Sequence, residues 1–161
     1  MDPEIREYRH SDEEAVVQLS LRAWAPVFAS MEQAFGHEIF IRLHGDWRHY
    51  QEKSARDTLA DGAVQVWVAE TERGVVGFVA ARAFDPERLL GEIFMLAVDP
   101  DDQRRGIGTA LTEFATAWLP ASGMRVATIG TGGDPGHAPA RRVYEKAGYT
   151  LIPMVRYFKA L

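Results

Sequence analysis

Hydrophobic positions along the chain follow two patterns, one typical of strands and one typical of helices. Apolar residues that alternate with polar ones or run on continuously predict five strands: EIREYR (4–9), VQVWVAE (64–70), VVGFVAARA (75–83), EIFMLAV (92–98) and RVATIG (125–130). The four residues TERG between the second and third runs predict a hairpin. The run EIFMLAV is almost wholly apolar, so we place it at the centre of the sheet with both faces covered.

Helical spacing marks three other stretches. The segment 11–24 opens with a capping-box pattern, in which Ser11 is the expected N-cap, and continues with apolar residues three or four apart. The segment 107–118 carries an apolar stripe, and Pro120 should end that helix. The segment 139–147 carries a second stripe, with a proline in its first turn and a glycine after its end.

Two regions have a weaker pattern. Residues 31–60 are polar with scattered aromatic side chains, and they predict one or two helices. YTLIPMVRYFKAL (149–161) predicts two short strands broken at Pro153. The order of these strands and helices predicts an α/β fold (mixed α+β). We expect a single domain over residues 1–161, with a central twisted mixed sheet of six to seven strands flanked by about four helices.

Composition narrows the functional classes. The length of 161 residues favours one domain, and 47% apolar with 25% charged residues is typical of globular proteins. A formal net charge of −5 argues against nucleic acid as a partner. Cysteine is absent and the histidines lack metal-ligand spacing, so we expect neither a disulfide nor a metal site. Without an apolar run of membrane-spanning length or a signal-like N-terminus, we expect no membrane partner and a cytoplasmic location.

The segment QRRGIG (103–108) lies where the central strand turns into a helix. The first turn of a helix has backbone N–H groups without intrahelical acceptors, and the helix dipole favours negative charge there. Glycine at positions 106 and 108 would let an anion approach these amides closely. Three neighbouring side chains add donors and charge: Gln103, Arg104 and Arg105. A pyrophosphate site and an ordinary loop, with glycines for turning and arginines for solubility, explain these residues equally well.

At these residues the chain resembles a known family. LAVDPDDQRRGIGTAL resembles the acyl-CoA-binding signature of the GNAT superfamily of acetyl-CoA-dependent N-acetyltransferases, Gln/Arg-x-x-Gly-x-Gly/Ala, with Gln103, Gly106 and Gly108 at its positions. HAPARRVYEKAGY is similar to the family's segment in which a helix carries a tyrosine and ends at Gly-Phe or Gly-Tyr. The two segments follow the family's order, with a strand between them. The resemblance extends from Val64 onward, and residues 1–60 match only in outline.

The resemblance implies a GNAT-like domain with acetyl-CoA as the acyl-donor cosubstrate. In such folds the strand before the signature bulges and splays from its neighbour, and its backbone binds the pantetheine arm and the thioester carbonyl. Here that backbone belongs to Leu96, Ala97 and Val98. The pyrophosphate would lie on the amides of Arg104, Arg105, Gly106, Ile107, Gly108 and Thr109. His137 stands where members often carry asparagine, and it suits a hydrogen bond to the cofactor arm, a part in proton removal, or a solvent-facing loop.

Acetyl transfer to an amine makes three chemical demands. The acceptor ammonium group, with a pKa of about 10.4, must first lose a proton. Hydrogen-bond donors must then stabilise the thioester carbonyl oxygen as it gains charge. The departing thiolate finally needs a proton. The resemblance suggests Tyr144 as the acid, because family members place a tyrosine near the sulfur; a core aromatic is the alternative. Glu92 is the candidate base, because glutamate at the matching position serves this role in some members. A surface residue at a strand end, or attack through ordered water, are the alternatives to Glu92.

The predicted function is transfer of an acetyl group from acetyl-CoA to a primary amine of a small molecule or peptide, by direct attack in a ternary complex. A noncatalytic acyl-CoA-binding or sensor module with the same fold is the alternative. A longer acyl donor, O-acylation and a homodimer are compatible with the same residues. Acceptor specificity is expected in residues 25–60 and 84–90. Five aromatic residues either line an acceptor pocket or belong to the core: Trp24, Phe28, Trp47, Tyr50 and Trp67.

Overall fold

The computed structural model describes residues 2–161 and contains one mixed sheet of five strands. The strands are β1 (Glu4–Glu7), β2 (Gln65–Thr71), β3 (Gly74–Asp85), β4 (Leu90–Val98) and β5 (Val126–Ile129). They lie across the sheet in sequence order. The pairings from β1 to β4 are antiparallel, and β5 pairs parallel with β4. The predicted mixed sheet is confirmed, and each of the five runs identified from its apolar pattern forms a strand.

Residues 2–161 also contain five α-helices. They are α1 (Glu13–Phe35), α2 (His37–His44), α3 (Trp47–Ala60), α4 (Ile107–Ala121) and α5 (Ala138–Lys146). The weakly patterned region 31–60 contains the end of α1 and two further helices, separated by Gly36 and Gly45 with positive φ angles. Within residues 2–161 no helix combines the length and apolar character needed to cross a membrane.

The two faces of the sheet are covered by different helices. On one face, Val17 and Leu19 of α1 pack with Phe78 of β3. On the other face, Leu111 of α4 packs with Val79, the next residue of β3. Because successive strand side chains point to opposite faces, a continuous apolar run such as that in β3 or β4 serves both cores. Strand β4 is therefore interior and covered on both faces, as predicted, although β3 occupies the middle of the sheet.

Helix α1 begins at Glu13, so the capping-box prediction at Ser11 is wrong. A short 3-10 turn precedes the helix, and the N-cap is Asp12. The buried Asp12 carboxylate accepts hydrogen bonds from the backbone N–H of Arg9 and from Nη1 of Arg6, both at 2.8 Å. The Arg6 hydrogen bond holds the pKa of Asp12 below its ordinary value. A buried carboxylate that is paired in this way fixes the turn more strongly than an exposed serine hydroxyl.

Helix α4 ends later than its proline suggests. Pro120 lies inside the last turn, and the helix continues to Ala121. A proline in the last turn removes a single hydrogen bond and does not prevent the preceding residues from remaining helical. Gly123, with a φ of +89°, then turns the chain towards β5.

The prediction of two strands in residues 149–161 is wrong for the described chain, as is the sheet of six to seven strands that depended on it. Residues 150–161 follow α5 without regular secondary structure and are exposed. Alternation fixes which side chains a strand would bury, but a strand also needs a neighbouring edge for its backbone hydrogen bonds. The apolar pattern of this segment indicates which side chains a strand would bury, but not whether a neighbouring edge is available for pairing.

Candidate functional site

Strand β4 has a bulge in its middle and separates from β5 beyond it. The pairs Ala80–Met95 and Ala81–Ile93 leave Phe94 as an extra residue on β4. Pairing between β4 and β5 also ends at Ile93, whereas β4 itself runs on to its last residue. The backbone of β4 after the bulge therefore has a free side, as expected for the strand before QRRGIG.

A cavity of about 710 Å³ occupies the gap between the separated strands. Its walls come from α1, β4, the first turn of α4, the loop after β5, and α5. Most of the predicted site residues line it: Leu96, Ala97, Val98, Gln103, Arg104, Gly106, Ile107, Gly108, Thr109, His137 and Tyr144. Glu92 and Arg105 do not. The cavity reaches from the start of α4 to α5, so it can hold one elongated ligand.

The α4 end of the cavity presents unpaired backbone donors. Gly106 is the N-cap of α4, has a φ of +81° and lacks a side chain that would cap the helix. The hydrogen bond that opens the helix runs from the N–H of Ala110 to the carbonyl of Gly106, at 2.9 Å. The amides of residues 107–109 therefore have no acceptor inside the helix. Free amides at a helix N-terminus suit a pyrophosphate.

The polar side chains before α4 have different roles. Gln103 donates from Nε2 to the carbonyl of Val98 at 3.1 Å, which ties the loop to the end of β4. Arg104 has a φ of +63° and lines the cavity. Arg105 instead pairs through Nη1 with Oδ1 of Asp102 at 3.1 Å. Because Asp102 is only 3% exposed, its charge requires cationic partners. Arg104 thus faces the cavity, whereas Arg105, together with Arg73, pairs with a buried carboxylate.

Gly108 leaves space for a ligand without being required by the packing of the chain. A Cβ atom at this position would lie 3.7 Å from Cγ2 of Val98 and 3.8 Å from Cγ2 of Val143. These are ordinary van der Waals distances, and Gly108 does not have a left-handed φ. Its missing side chain opens the first turn of α4 towards the cavity.

Tyr144 lies at the α5 end of the cavity. Burial, together with the neighbouring Tyr149 phenol, raises the pKa of Tyr144 to about 12. The two rings are 6.5 Å apart, and the hydroxyl of Tyr149 lies 2.6 Å from Oγ1 of Thr116 in a hydrogen bond. At neutral pH the Tyr144 hydroxyl keeps its proton, which is the protonation state of a general acid.

His137 is buried in the cavity wall and is oriented by a carboxylate. Its Nδ1 pairs with Oδ1 of Asp134. Asp134 also accepts hydrogen bonds from Oγ of Ser30 at 2.7 Å and from the N–H of Gly136 at 3.1 Å. Burial alone would raise the pKa of Asp134, but the hydrogen bonds from Ser30 and His137 outweigh it and hold the pKa below its ordinary value. With Nδ1 engaged, Nε2 is the ring nitrogen available to a ligand.

Sequence reasoning missed Asp134 and Ser30. The only signal was the glycine-rich loop GTGGDPG (130–136), and two of its glycines are required by this cluster. A Cβ atom at Gly132 would overlap the pair of Asp134 and His137, and one at Gly136 would lie 2.5 Å from Cβ of Ser30. The loop is thus packed tightly around the imidazole.

Glu92 forms an ion pair on the α1 and α3 side of β4. Its Oε2 accepts hydrogen bonds from Nη2 and Nε of Arg82, at 2.8 and 3.0 Å. The Arg82 guanidinium also lies 4.5 Å from the ring centroid of Phe94, the bulged residue. Glu92 is therefore held beside the bulge, on the face of β4 opposite to α4, and it does not line the cavity that contains Tyr144.

A second cavity, of about 620 Å³, lies on this side. Polar residues of α2, α3 and their flanking loops dominate its lining: His44, Asp46, His49, Tyr50, Lys53, Ser54, Asp57, Thr58 and Asp61. Arg82 and Phe94 complete it, and Phe94 also lines the first cavity. Part of the lining comes from residues 44–58, within the segment 25–60 where acceptor specificity is expected, and no lining residue comes from 84–90. Phe94, at the bulge of β4, thus borders both cavities.

The five aromatic residues considered for an acceptor pocket have separate places. Trp24 lines the first cavity and Tyr50 lines the second. Phe28 is buried, with Trp47 stacked on it at 5.0 Å. Trp67 is buried against α4. Two of the five thus face cavities, and the others serve packing.

A family description matches this part of the chain. The Acetyltransferase (GNAT) domain covers residues 62–151, which is more than half of the sequence and includes the bulged strand, QRRGIG and α5. The chain belongs to the GNAT acetyltransferase family. The family resemblance of the sequence is confirmed.

Curated relatives extend the similarity to most of this GNAT chain. A mycothiol acetyltransferase from Saccharomonospora viridis is 33% identical over 150 residues, which is 88% of this chain and 43% of the relative. Another, from Actinosynnema mirum, is 30% identical over 141 residues, 86% of this chain and 41% of the relative. The chain spans less than half the length of these relatives.

Solved structures share the fold of this GNAT chain. A GNAT-family protein from Desulfovibrio desulfuricans has a TM-score of 0.71 at 19% identity, covering 94% of this chain and 87% of its own. Aminoglycoside N-acetyltransferase AAC(6')-Iy in complex with CoA has a TM-score of 0.62 at 15% identity, covering 98% and 94%. PaiA N-acetyltransferase from Thermoplasma acidophilum, also with coenzyme A, has a TM-score of 0.64 at 15% identity, covering 91% and 89%.

Proposed function

We propose that this GNAT chain transfers an acetyl group from acetyl-CoA to a primary amine of a small molecule, by direct attack in a ternary complex. The observation that supports the proposal most is that Phe94 borders both cavities. One cavity joins free helix amides to a partly buried tyrosine, and the other has a polar lining. Donor and acceptor can thus approach the same point of β4 from two cavities, as direct transfer requires.

The relatives and the second cavity both favour a small, cationic acceptor. The curated relatives are named mycothiol acetyltransferases, and several solved neighbours are aminoglycoside acetyltransferases. Three carboxylates line the second cavity, Asp46, Asp57 and Asp61, and two cations, Lys53 and Arg82. Lys53 pairs with Asp57 and Arg82 pairs with Glu92, which leaves Asp46 and Asp61 without a cationic partner in the lining. Carboxylates attract an ammonium group and orient it through charge-assisted hydrogen bonds. A peptide amine is the other acceptor class compatible with the same geometry.

The first cavity supplies what the donor needs. Acetyl-CoA, when bound, provides the acyl group as a thioester. The amides of residues 107–109 and the Arg104 guanidinium would hold its pyrophosphate. The backbone of residues 95–98, apart from the Val98 carbonyl that accepts from Gln103, would hold the pantetheine arm. A backbone N–H of β4 beyond the bulge would stabilise the carbonyl oxygen as it gains charge.

Protons are moved by side chains on the two sides of β4. Tyr144 Oη would donate a proton to the departing sulfur, consistent with its raised pKa and its place in the first cavity, where the acyl donor would bind. Glu92 would take the proton of the acceptor ammonium, directly or through water, because it lies on the acceptor side beside Phe94. Arg82 would position the Glu92 carboxylate through the two hydrogen bonds to Oε2. His137 lies on the donor side, where its Nε2 is placed to orient the cofactor arm.

Release of free CoA from acetyl-CoA, measured with a thiol reagent, tests the proposal. The chain has no cysteine, so protein thiols give no background. We expect acceptor-dependent release with at least one member of a panel of aminoglycosides, polyamines, amino acids and short peptides. Tyr144→Phe should lower kcat by about 100-fold or more, the usual contribution of a general acid, and leave CoA affinity by calorimetry within about twofold. CoA binding without turnover on any acceptor would instead establish the noncatalytic module.

The choice of base is tested by the kinetics of two variants. Glu92→Gln keeps the size of the side chain but removes the proton acceptor, so it should lower kcat by about 100-fold or more. His137→Asn introduces the residue that the family often carries at this position, and it should change KM moderately and leave kcat largely unchanged. A large loss of kcat in His137→Asn, with kcat retained in Glu92→Gln, would assign proton removal to the imidazole.

A further inference from the structure

The loop before α5 holds the imidazole of His137 in one orientation at the wall of the first cavity. His137 is 8% exposed, and its Nδ1 pairs with Oδ1 of Asp134. Oδ2 of Asp134 accepts hydrogen bonds from Oγ of Ser30 at 2.7 Å and from the N–H of Gly136 at 3.1 Å. An ionised carboxylate only accepts hydrogen bonds, so Nδ1 is the donor of its pair, and the lone pair of the neutral ring lies on Nε2.

Arg141 of α5 also fixes this loop. Its Nη1 donates to the carbonyls of Gly132 and Asp134, at 2.5 and 2.9 Å. Hydrogen bonds from a charged donor are stronger than those between neutral groups, so the carboxylate–imidazole pair is held in place before any ligand binds. A ring that only touched a ligand would not need a buried carboxylate behind it. A ring that receives a proton does, because the carboxylate stabilises the imidazolium that forms.

His137 and Tyr144 lie on the same face of α5. His137 is the N-cap of this helix, and Tyr144 follows two turns later. At a rise of 1.5 Å per residue, the two backbone positions are about 10 Å apart along the helix. Both side chains line the first cavity. A base and an acid on one helix face are therefore placed to act on opposite sides of a bond held between them.

The lining of the first cavity does not favour a cationic nucleophile beside His137. Among the described residues that line this cavity there is no Asp or Glu, whereas Arg104 and Lys146 are both present. Asp134 lies behind the imidazole and is already engaged by three donors. An ammonium group would thus find no carboxylate partner there. Water is neutral and small, and it needs only the lone pair of Nε2, so it suits this position better.

We propose that this chain also hydrolyses acetyl-CoA when no acceptor is bound, with His137 as the base and Asp134 as its positioning residue. Nε2 of His137 removes a proton from water, and the water oxygen forms a bond to the thioester carbonyl carbon. The carbon–sulfur bond breaks as Tyr144 Oη donates its proton to the departing sulfur. The products are acetate, CoA and one proton released to solvent. Proton exchange with solvent restores the neutral imidazole and phenol.

Hydrolysis rests on the donor half of the proposed function, the binding of acetyl-CoA in the first cavity, and it needs neither an amine nor Glu92. The two activities use different bases, His137 for water and Glu92 for the ammonium group. They share the thioester, the backbone donors of β4 and Tyr144. An acceptor bound in the second cavity would therefore compete with water for the same carbonyl carbon.

Release of CoA from acetyl-CoA without an acceptor, in a buffer free of primary amines, tests the proposal. We expect release faster than in buffer alone, and in water labelled with heavy oxygen the acetate formed should carry the label. His137→Asn should lower this release by about 100-fold or more, the usual contribution of a general base. Asparagine still offers a donor near the place of Nδ1 but no base at the place of Nε2. Equal release by the wild type and by folded His137→Asn would overturn the proposal.

Two further variants separate the base from its support and from surface effects. His10→Asn makes the same substitution at a side chain that is 94% exposed and lines neither cavity, so we expect wild-type hydrolysis. Asp134→Asn keeps the imidazole and removes the charge behind it. We expect kcat for hydrolysis to fall by about tenfold or more and KM for acetyl-CoA to stay within about threefold. An unchanged kcat in Asp134→Asn would overturn the role of the pair, including where His137→Asn does not fold.

Calorimetry with CoA and circular dichroism accompany each variant, because the loop around His137 is tightly packed. A folded His137→Asn variant that binds CoA but has lost acceptor-free release supports the proposal. A wild-type chain that binds CoA and releases none from acetyl-CoA without an acceptor overturns hydrolysis, and acetyl transfer to an amine then stands by itself. A wild-type chain that does not bind CoA overturns both activities.

Discussion

Replacing Gly132 by alanine should damage the site through a single added methyl group. The Cβ atom would overlap Nδ1 of His137 and a carboxylate oxygen of Asp134, and it would lie 2.7 Å from Cε1 of His137. The backbone of Gly132 does not have a left-handed φ, so the conformation itself suits alanine. The clash is with the His137–Asp134 pair, which must move or separate.

The size of the effect follows from what that pair contributes. A hydrogen bond to a charged group is worth about 1.5–3 kcal/mol, and Asp134 is buried enough that separation would leave its charge poorly solvated. In a chain of this length each kcal/mol shifts Tm by about 2–4 °C. We therefore expect Gly132→Ala to lower Tm by roughly 3–12 °C. We also expect Gly132→Ala to bind CoA more weakly, because His137 lines the first cavity, the proposed CoA site.

The neighbouring glycine provides the control. A Cβ atom at Gly133 would have no heavy atom within 4 Å, and its φ also lies outside the left-handed region. Gly133→Ala should therefore leave the free energy of unfolding unchanged or raise it by up to about 1 kcal/mol, because alanine restricts the unfolded chain. Thermal unfolding and CoA calorimetry compare the two variants. Equal Tm values for Gly132→Ala and Gly133→Ala would refute the reasoning.

A double variant tests whether the pair itself carries the penalty. In an Asp134→Asn background the charged hydrogen bond is already lost, so adding Gly132→Ala should cost less than it does in the wild type. The difference between the two costs measures the coupling. Additive costs would mean that the methyl group acts through the loop backbone and not through the imidazole.

Three further predictions concern pH and backbone conformation. Because burial raises the pKa of Tyr144 to about 12, the unfolded chain releases this proton at lower pH than the folded chain, so stability falls between about pH 10 and 12. Urea unfolding at pH 8 and 10.5 should show a smaller fall in Tyr144→Phe, and identical falls would contradict this. The lowered pKa of Asp134 contributes stability above about pH 4, and this stability is lost as pH falls through the folded-state pKa. Thermal scans from pH 7 to 3 should therefore show a smaller fall of Tm in Asp134→Asn than in the wild type. Gly106→Ala places alanine at a φ of +81° without a steric clash, so backbone strain alone should lower the free energy of unfolding by about 1–2 kcal/mol. An unchanged Tm would contradict the left-handed conformation at this N-cap.

Local patterns in the sequence identified the parts of the site that depend on local structure. The apolar run of β4 and the glycines after it predict a strand followed by an exposed helix start, and both are present. Tyr144 was found because it occupies one helical stripe and one family segment. These features depend on residues within a few positions of one another in the chain. Hydrophobic periodicity and helix-capping preferences operate over that distance.

Features that depend on distant residues could not be found in this way. Ser30 and Asp134 are 104 positions apart in the chain, and no periodicity relates them. Arg104 and Arg105 are adjacent and chemically identical, yet only the first lines the cavity. Their difference arises from Asp102, whose burial is decided by the packing of the whole loop.

The single extra residue in β4 explains how one strand serves two cavities. Met95 and Ala97 belong to the core beneath α1, whereas Ile93 packs with α4, although strict alternation would place all three on one face. The bulge at Phe94 reverses the alternation, so the residues before it change sides. Without it, Glu92 would point towards α4, away from Arg82 and the second cavity. The same insertion places Phe94 between the cavities and coincides with the end of pairing to β5. The position of Glu92 on the face of β4 opposite to α4, beside Arg82, is thus a consequence of strand register.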